Sequence, residues 1–297
     1  MAGSEPDRWS RWLAHRRDAG DARQRQVTLE HLAPIRDRIL DEAGPLEGAT
    51  VLDVGSGDGL VGLEALERVG ANGTVIFSDI SDALLEQCRG AVAERGLSGR
   101  ARFLRASAED LAAIADGSVD VATTRSVLIY VSDKARAFAA LERVLRPGGR
   151  ISLFEPINRL MFPEPPDRFW GYDVGPVAEL AAKVKATFEV IEDPATAAMT
   201  DFDDRDLVRL AETAGFARVH LECHIDIQPG SLMRDIDLDA LLDRAPNPLA
   251  PTIRESIEAA LAAPEQERFL DHLARVLAED EPVRRSALAY LLAHKRG

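Results

Sequence analysis

The sequence predicts an α/β protein with a mostly parallel sheet covered by helices on both faces. Two observations carry this. From residue 50 onward, five short apolar runs alternate with helix-period segments, the pattern of strands buried on both faces and joined by crossover helices. Polar residues stand at or just after the ends of those runs, namely Asp53, Asp79, Ser107, Arg125 and Glu155, where ligands of such sheets bind.

The elements follow in order. Residues 28–43 (TLEHLAPIRDRILDEA) read as a helix, with Thr28 as N-cap and Gly44-Pro45 as the stop. The strand VLDV leads into the helix LVGLEALERV and the strand TVIFSD. Ser81 opens the next helix, in which Leu84, Leu85, Cys88 and Val92 share a face. ARFLRA and VDVATT are the third and fourth strands, and the turn Asp116-Gly117-Ser118 precedes the fourth. Ser132 caps a helix that Pro147-Gly148-Gly149 ends, and ISLFE is the fifth strand. Past residue 156 a Pro- and aromatic-rich stretch reads as an ordered loop, followed by a helix bearing Leu180, Val184 and Phe188. FDDRDLVRLAETAGF is helical, RVHLECHIDI alternates strictly, and residues 232–281 look helical again. SALAYLLAHK reads as a closing strand, with a helix as the rival.

Composition narrows the function. The chain has 297 residues and a net charge of −14, so it repels phosphate backbones and nucleic acid is not an expected partner. Two cysteines far apart suggest neither a disulfide framework nor a zinc cluster. No signal peptide or membrane span is legible, which predicts a cytoplasmic protein acting on small molecules.

The stretch VLDVGSGDGLVG carries two overlapping glycine patterns. Gly57 to Gly62 satisfies G-x-G-x-x-G, the dinucleotide spacing, whereas Asp53 to Gly59 reads acid-x-G-x-G-x-G. Glycines let the backbone turn tightly and approach a ligand. An acid just before the loop would repel a pyrophosphate and suit a cationic ammonium. Asp79 stands where an adenosine cofactor needs an acceptor for its ribose hydroxyls.

The ordered blocks VLDVGSGDG, FSDIS, FLRASAEDL, VDVATTRSVLIYV and RVLRPGGRISLFEP resemble the class I S-adenosyl-L-methionine (SAM)-dependent methyltransferases, in the small-molecule group that includes ubiquinone- and menaquinone-type methylases. The resemblance covers about residues 44–229. It implies a Rossmann-like, seven-stranded, mostly parallel sheet with an antiparallel last strand, to which RVHLECHIDI and SALAYLLAHK supply the sixth and seventh strands. The chain then divides into an N-terminal helical cap (1–43), a SAM-binding core (44–229) with an insertion at 156–199, a helical lid insertion (230–284) and a last core strand (285–297). The resemblance gives Gly55, Gly57 and Gly59 the methionyl and ribose side, with Asp53 anchoring the amino end. Asp79 would hold the ribose hydroxyls, Ile80 would pack on adenine, and Ser107, Ala108 and Glu109 would form the adenine turn, with Ser107 where the family commonly has Asp. Arg125 would border the methionyl group.

Methyl transfer needs alignment and a dry pocket, with a base only where the nucleophile must lose a proton. Tyr130, Glu155 and, if the N-terminal segment folds over the pocket, His15 are the acceptor-side candidates. Each has a plain structural alternative: packing for Tyr130, loop shaping for Glu155 and solvation for His15. Trp9, Trp12, Phe162, Phe169, Trp170 and Tyr172 either line a lid over an apolar pocket or pack the additions onto the core. His220, Glu222, His224 and Asp226 share one strand face and read as the polar side of a sheet, so no metal is expected; Val219, Leu221, Cys223, Ile225 and Ile227 would be buried opposite. The rival functions are an NAD(P)-dependent oxidoreductase, which leaves Asp53 and the later blocks unexplained, a macromolecule methylase, and a non-catalytic SAM-binding regulator or scaffold. The helical additions would suit a homodimer contact.

Overall fold

The computed structural model describes residues 6–189, 197–230 and 236–297; residues 232–235, expected to be helical, lie outside them. Seven strands form one sheet: β1 (Thr50–Val54), β2 (Thr74–Asp79), β3 (Ala101–Arg105), β4 (Val119–Arg125), β5 (Leu145–Pro156), β8 (Arg218–Pro229) and β9 (Val283–His294). Their order is β3-β2-β1-β4-β5-β9-β8. The first five pair in parallel, and β9 runs antiparallel between β5 and β8. The expected sheet, with its reversed last strand, is present.

Strand alternation sorts the core into two layers. Val51, Val75, Phe77 and Val121 pack under α2 (Ala22–Glu42), α3 (Leu60–Arg68) and α4 (Asp82–Glu94). Leu52, Val54, Ile76 and Ala122 face α5 (Lys134–Val144) and α7 (Asp204–Ala214) instead, through residues such as Phe138 and Leu207. A third core lies apart from the sheet. The hairpin β6 (Arg168–Phe169) and β7 (Tyr172–Asp173) and helix α6 (Ala178–Glu189) share it with α8 (Leu238–Leu242), α9 (Ile253–Ala260) and α10 (Ala263–Glu279). Segments that the sequence separates by the sixth strand are thus buried against one another.

Three local expectations are corrected. Helix α2 starts six residues before Thr28, because the Asp21 side chain accepts the Gln24 N–H as N-cap; Thr28 lies inside it and donates to Asp18 Oδ1 at 2.7 Å. Asp133, not Ser132, caps α5 by accepting the Arg136 N–H. On β8, Ile225 and Ile227 are more than half exposed and Cys223 is half-buried, since only the start of this edge strand is covered, by Leu207 and Ala211 of α7 and by Phe216 just after it.

Candidate active site

The sheet ends, the N-terminal segment and the second insertion enclose a cavity of about 510 Å³, within the range of small-molecule sites. Its floor is the β1–α3 turn. Gly55, Gly57 and Gly59 all have positive φ (65°, 56° and 87°), a region in which only glycine is unstrained. At Gly55 the space is also taken: a Cβ would fall 2.4 Å from Val127. Gly55 and Gly57 reach the cavity wall, whereas Gly59 starts α3 against Leu63 and Cys88.

Asp79 ends β2 at the cavity edge. One carboxylate oxygen accepts the Gly57 N–H at 2.9 Å and the other the Ser81 N–H at 2.9 Å, which leaves lone pairs on both for a ligand hydroxyl. Burial raises its pKa, and those N–H groups oppose the rise. Ile80 is 46% exposed beside it, and Ser107, Ala108 and Glu109 continue the wall. The Ser107 hydroxyl accepts the Glu109 N–H, and Glu109 accepts the Asp133 N–H at 2.7 Å.

Asp53 lies elsewhere. Alternation puts it on the Val51 face of β1, beneath the glycine turn and off the cavity wall. Its Oδ1 accepts the Thr123 hydroxyl at 3.0 Å, while Oδ2 is buried without a hydrogen bond. Burial pushes its pKa up to about 7, against the Thr123 hydroxyl, the Gly62 N–H and Arg125. Any effect on a bound ammonium is exerted from below the loop.

The three acceptor-side candidates separate. Tyr130 lines the cavity, with its ring edge-on to Trp9 at 4.9 Å between centroids. Burial, then Glu155, raises its phenol pKa, so it stays protonated near neutrality. Glu155 is fully buried and off the cavity wall. Its Oε1 accepts the Val127 and Leu128 N–H groups at 2.9 and 3.0 Å, and its Oε2 the Ile129 N–H at 3.3 Å. Burial pushes its pKa up to about 7 even so. That side chain shapes the loop after β4, which opens with Ser126 at a left-handed φ of 56°. His15 is exposed and borders a separate surface hollow beside Ala83 and Glu86. The structure does not bring Glu155 or His15 to the cavity.

One residue that the sequence reading missed is there. His31 lines the cavity from α2, together with Thr28, Leu32 and Ile35, the face made by i, i+3, i+4 and i+7 spacing. Burial, then Arg284, lowers its pKa, so its imidazole is neutral at physiological pH. The helix period was legible; that this stripe, half polar and half apolar, faces a cavity was not.

The aromatic residues split between lining the cavity and packing the additions. Trp9 and Trp12 line the cavity, and Trp12 Nε1 donates to the Ala245 carbonyl at 3.0 Å. Phe169 and Tyr172 are buried in the third core, Trp170 packs against it and Phe162 is 59% exposed. On β8, Glu222 accepts from Arg38 at 2.6 Å and lies near His220 and His224. The Arg38 hydrogen bond is foremost in drawing its pKa down to about 2. Among the described residues no metal-holding group forms, and no helix is long and apolar enough to cross a membrane.

Residues 25–226 match the model of the ubiE/COQ5 methyltransferase family. The chain belongs to the ubiE/COQ5 methyltransferase family. It is 39% identical over 116 residues to the ubiquinone/menaquinone biosynthesis C-methyltransferase UbiE of Idiomarina loihiensis, covering 39% of this chain and 46% of that one. It is 35% identical over 170 residues to nocamycin O-methyltransferase of Saccharothrix syringae, covering 57% of this chain and 56% of that one. The chain therefore spans about half the length of these curated relatives. The fold is also that of geranyl diphosphate methyltransferase solved with SAM, at a TM-score of 0.51 and 19% identity over 96% of this chain and 94% of that one. As a ubiE/COQ5 family member, the chain carries its glycine turn and Asp79 inside the matched region, whereas Trp9, Trp12, Arg17 and Arg244 stand outside it.

Proposed function

We propose that this protein transfers a methyl group from SAM to a small organic acceptor. The observation that carries the reading is the continuity of one cavity. It runs from the glycine turn and Asp79 to the α2 face formed by Thr28, His31, Leu32 and Ile35. One end fits an adenosine cofactor: Gly55 leaves no room for a side chain, and Asp79 is held with free lone pairs. SAM, when bound, supplies an electrophilic methyl group.

The residues of the chain do the rest by position. The Gly55 and Gly57 backbone borders the methionyl and ribose parts, Asp79 accepts from the ribose hydroxyls, and Ile80 with Ser107, Ala108 and Glu109 flanks the adenine. Arg125 borders the methionyl carboxylate. Leu13 covers the turn at Gly57, and Trp9 and Trp12 wall the cavity beside it; together they exclude water, which favours an in-line displacement between fixed partners. For a hydroxyl acceptor, neutral His31 takes the proton, because Glu155 is already committed to backbone N–H groups and the Tyr130 phenol stays protonated. A carbon acceptor would use the same alignment. A cytoplasmic homodimer joined through the helical additions belongs to this reading, and sedimentation would test its assembly.

The test is release of S-adenosyl-L-homocysteine (SAH) over many turnovers with an acceptor library. Loss of SAM and SAH binding in Asp79→Ala supports the reading. Tight NAD(P)H binding without SAM binding would sink it.

A further inference from the structure

Three arginines line the cavity between the glycine turn, through Asp58, and Thr28 of α2, through Asp18, and each comes from a different part of the chain. Arg125 stands at the end of β4, Arg17 in the N-terminal segment and Arg244 in the second insertion. The Arg17 and Arg244 side chains are only 11% and 12% exposed. Their counter-charge is thin. Arg17 pairs with buried Asp18 at 3.1 Å and with Asp58 at the rim at 3.6 Å. Arg244 reaches the same Asp18 only at 4.0 Å. No carboxylate among the described residues lies within ion-pair distance of Arg125, for which Asp58 is the foremost attractive charge.

Within ion-pair distance the three guanidiniums thus share two carboxylates, one of which also accepts the Thr28 hydroxyl, while buried Asp53 and Glu155 attract Arg125 only from farther off. Arginine does not shed its proton to relieve the excess. Burial and Arg17 lower the pKa of both Arg125 and Arg244, in keeping with mutual repulsion. Asp79 and Glu109 cannot help, because they sit at the adenosine end and accept backbone N–H groups. SAM would deepen the imbalance: its ammonium and sulfonium outweigh its single carboxylate. A buried excess of positive charge is costly until an anion with hydrogen-bonding oxygens meets it. The cavity wall continues past Thr28 with apolar residues, Leu32, Ile35, Phe154 and Leu288 among them.

We infer that Arg17 and Arg244, beside Arg125, anchor a carboxylate of the methyl acceptor, so the substrate class is an apolar, ring-sized organic acid. The inference rests on the methyltransferase reading above and narrows its substrate. Arg125, at the strand end, serves the methionyl carboxylate, and Arg17 with Arg244 serves the acceptor.

The test is calorimetric titration of the SAH-saturated protein with benzoate, 1-naphthoate and 2-naphthoate, each beside its neutral primary amide. At least one acid is expected to bind about tenfold or more tighter than its amide. Arg244→Gln should bring the pair to within about twofold while leaving SAH affinity within about twofold of the parent. Arg244→Lys should retain much of the preference, and Arg17→Gln gives the same readout should Arg244→Gln fail to fold. Acids that bind no better than amides across the panel would overturn the inference. So would an acid preference that survives both glutamine variants, or variants that weaken SAH and spare the acids, because the corner would then serve the cofactor. Absence of SAH binding to the parent would overturn the methyltransferase reading itself; SAH binding without acid preference overturns this inference alone.

Discussion

Replacing Asp53 by Asn changes the pH dependence of stability by an amount that the structure sets. The Asp53 carboxyl is 2% exposed, with a hydrogen bond on one oxygen and none on the other. Its pKa in the folded protein is about 7, against an ordinary value of 3.8. A carboxyl whose pKa is raised by folding holds its proton more tightly in the native state. Its contribution is therefore complete below the ordinary pKa and is lost as the pH rises through about 7. Between about pH 6 and 8.5 the parent loses roughly 1.5 kcal/mol from this group. Asn is nearly isosteric, can accept the Thr123 hydroxyl and does not titrate in this range. Its stability relative to the parent should therefore rise by the same amount over that interval. Glu155, also near 7, titrates in both proteins and cancels in the difference. The assay is urea unfolding of parent and Asp53→Asn at the two pH values, followed by tryptophan fluorescence. Stability differences that stay constant across the interval would refute the argument, because they would mean that the buried carboxyl does not titrate there.

Other outcomes are expected from the same geometry. Gly55→Ala places a Cβ against Val127 at positive φ; it should cost about 1–3 kcal/mol and weaken SAH binding at least tenfold (~1.4 kcal/mol), read by urea unfolding and calorimetry. Glu155→Ala strands three N–H groups, two of them fully buried, and should destabilise by about 3–5 kcal/mol; an unchanged urea midpoint would count against its loop-holding role. Trp12→Phe keeps a ring and loses the bond to Ala245, for a cost of about 1 kcal/mol. Acceptor KM should rise while SAH affinity holds, and the reverse pattern would place Trp12 on the cofactor side. His31→Ala should lower kcat for a hydroxyl acceptor by roughly 10²-fold or more with SAH affinity kept; unchanged kcat would remove His31 from proton transfer.

Local chemistry made much of this protein legible from its sequence. Strand runs such as VLDV and TVIFSD, the glycines of the β1 turn and the acid that ends β2 are specified within a few residues of one another, because period, turn conformation and strand-end position are local properties. Those segments produced the seven-stranded sheet and the glycine-turn end of the cavity. Glu155 was visible as a strand-end acid, yet only folding shows that it faces three N–H groups of the loop after β4, nearly thirty residues earlier in the chain. Arg125 was visible as a strand-end residue, but neither the place of His31 on the cavity wall nor the meeting of Arg125 with Arg17 and Arg244 had a local signature. Their meeting depends on where α2, the N-terminal segment and the second insertion dock, through contacts such as Trp12 to Ala245 that span 233 residues. Sequence spacing determined the sheet and the turn; the charge and shape of the rest of the cavity were decided by tertiary packing, since burial and electrostatic neighbours exist only once distant segments are brought together.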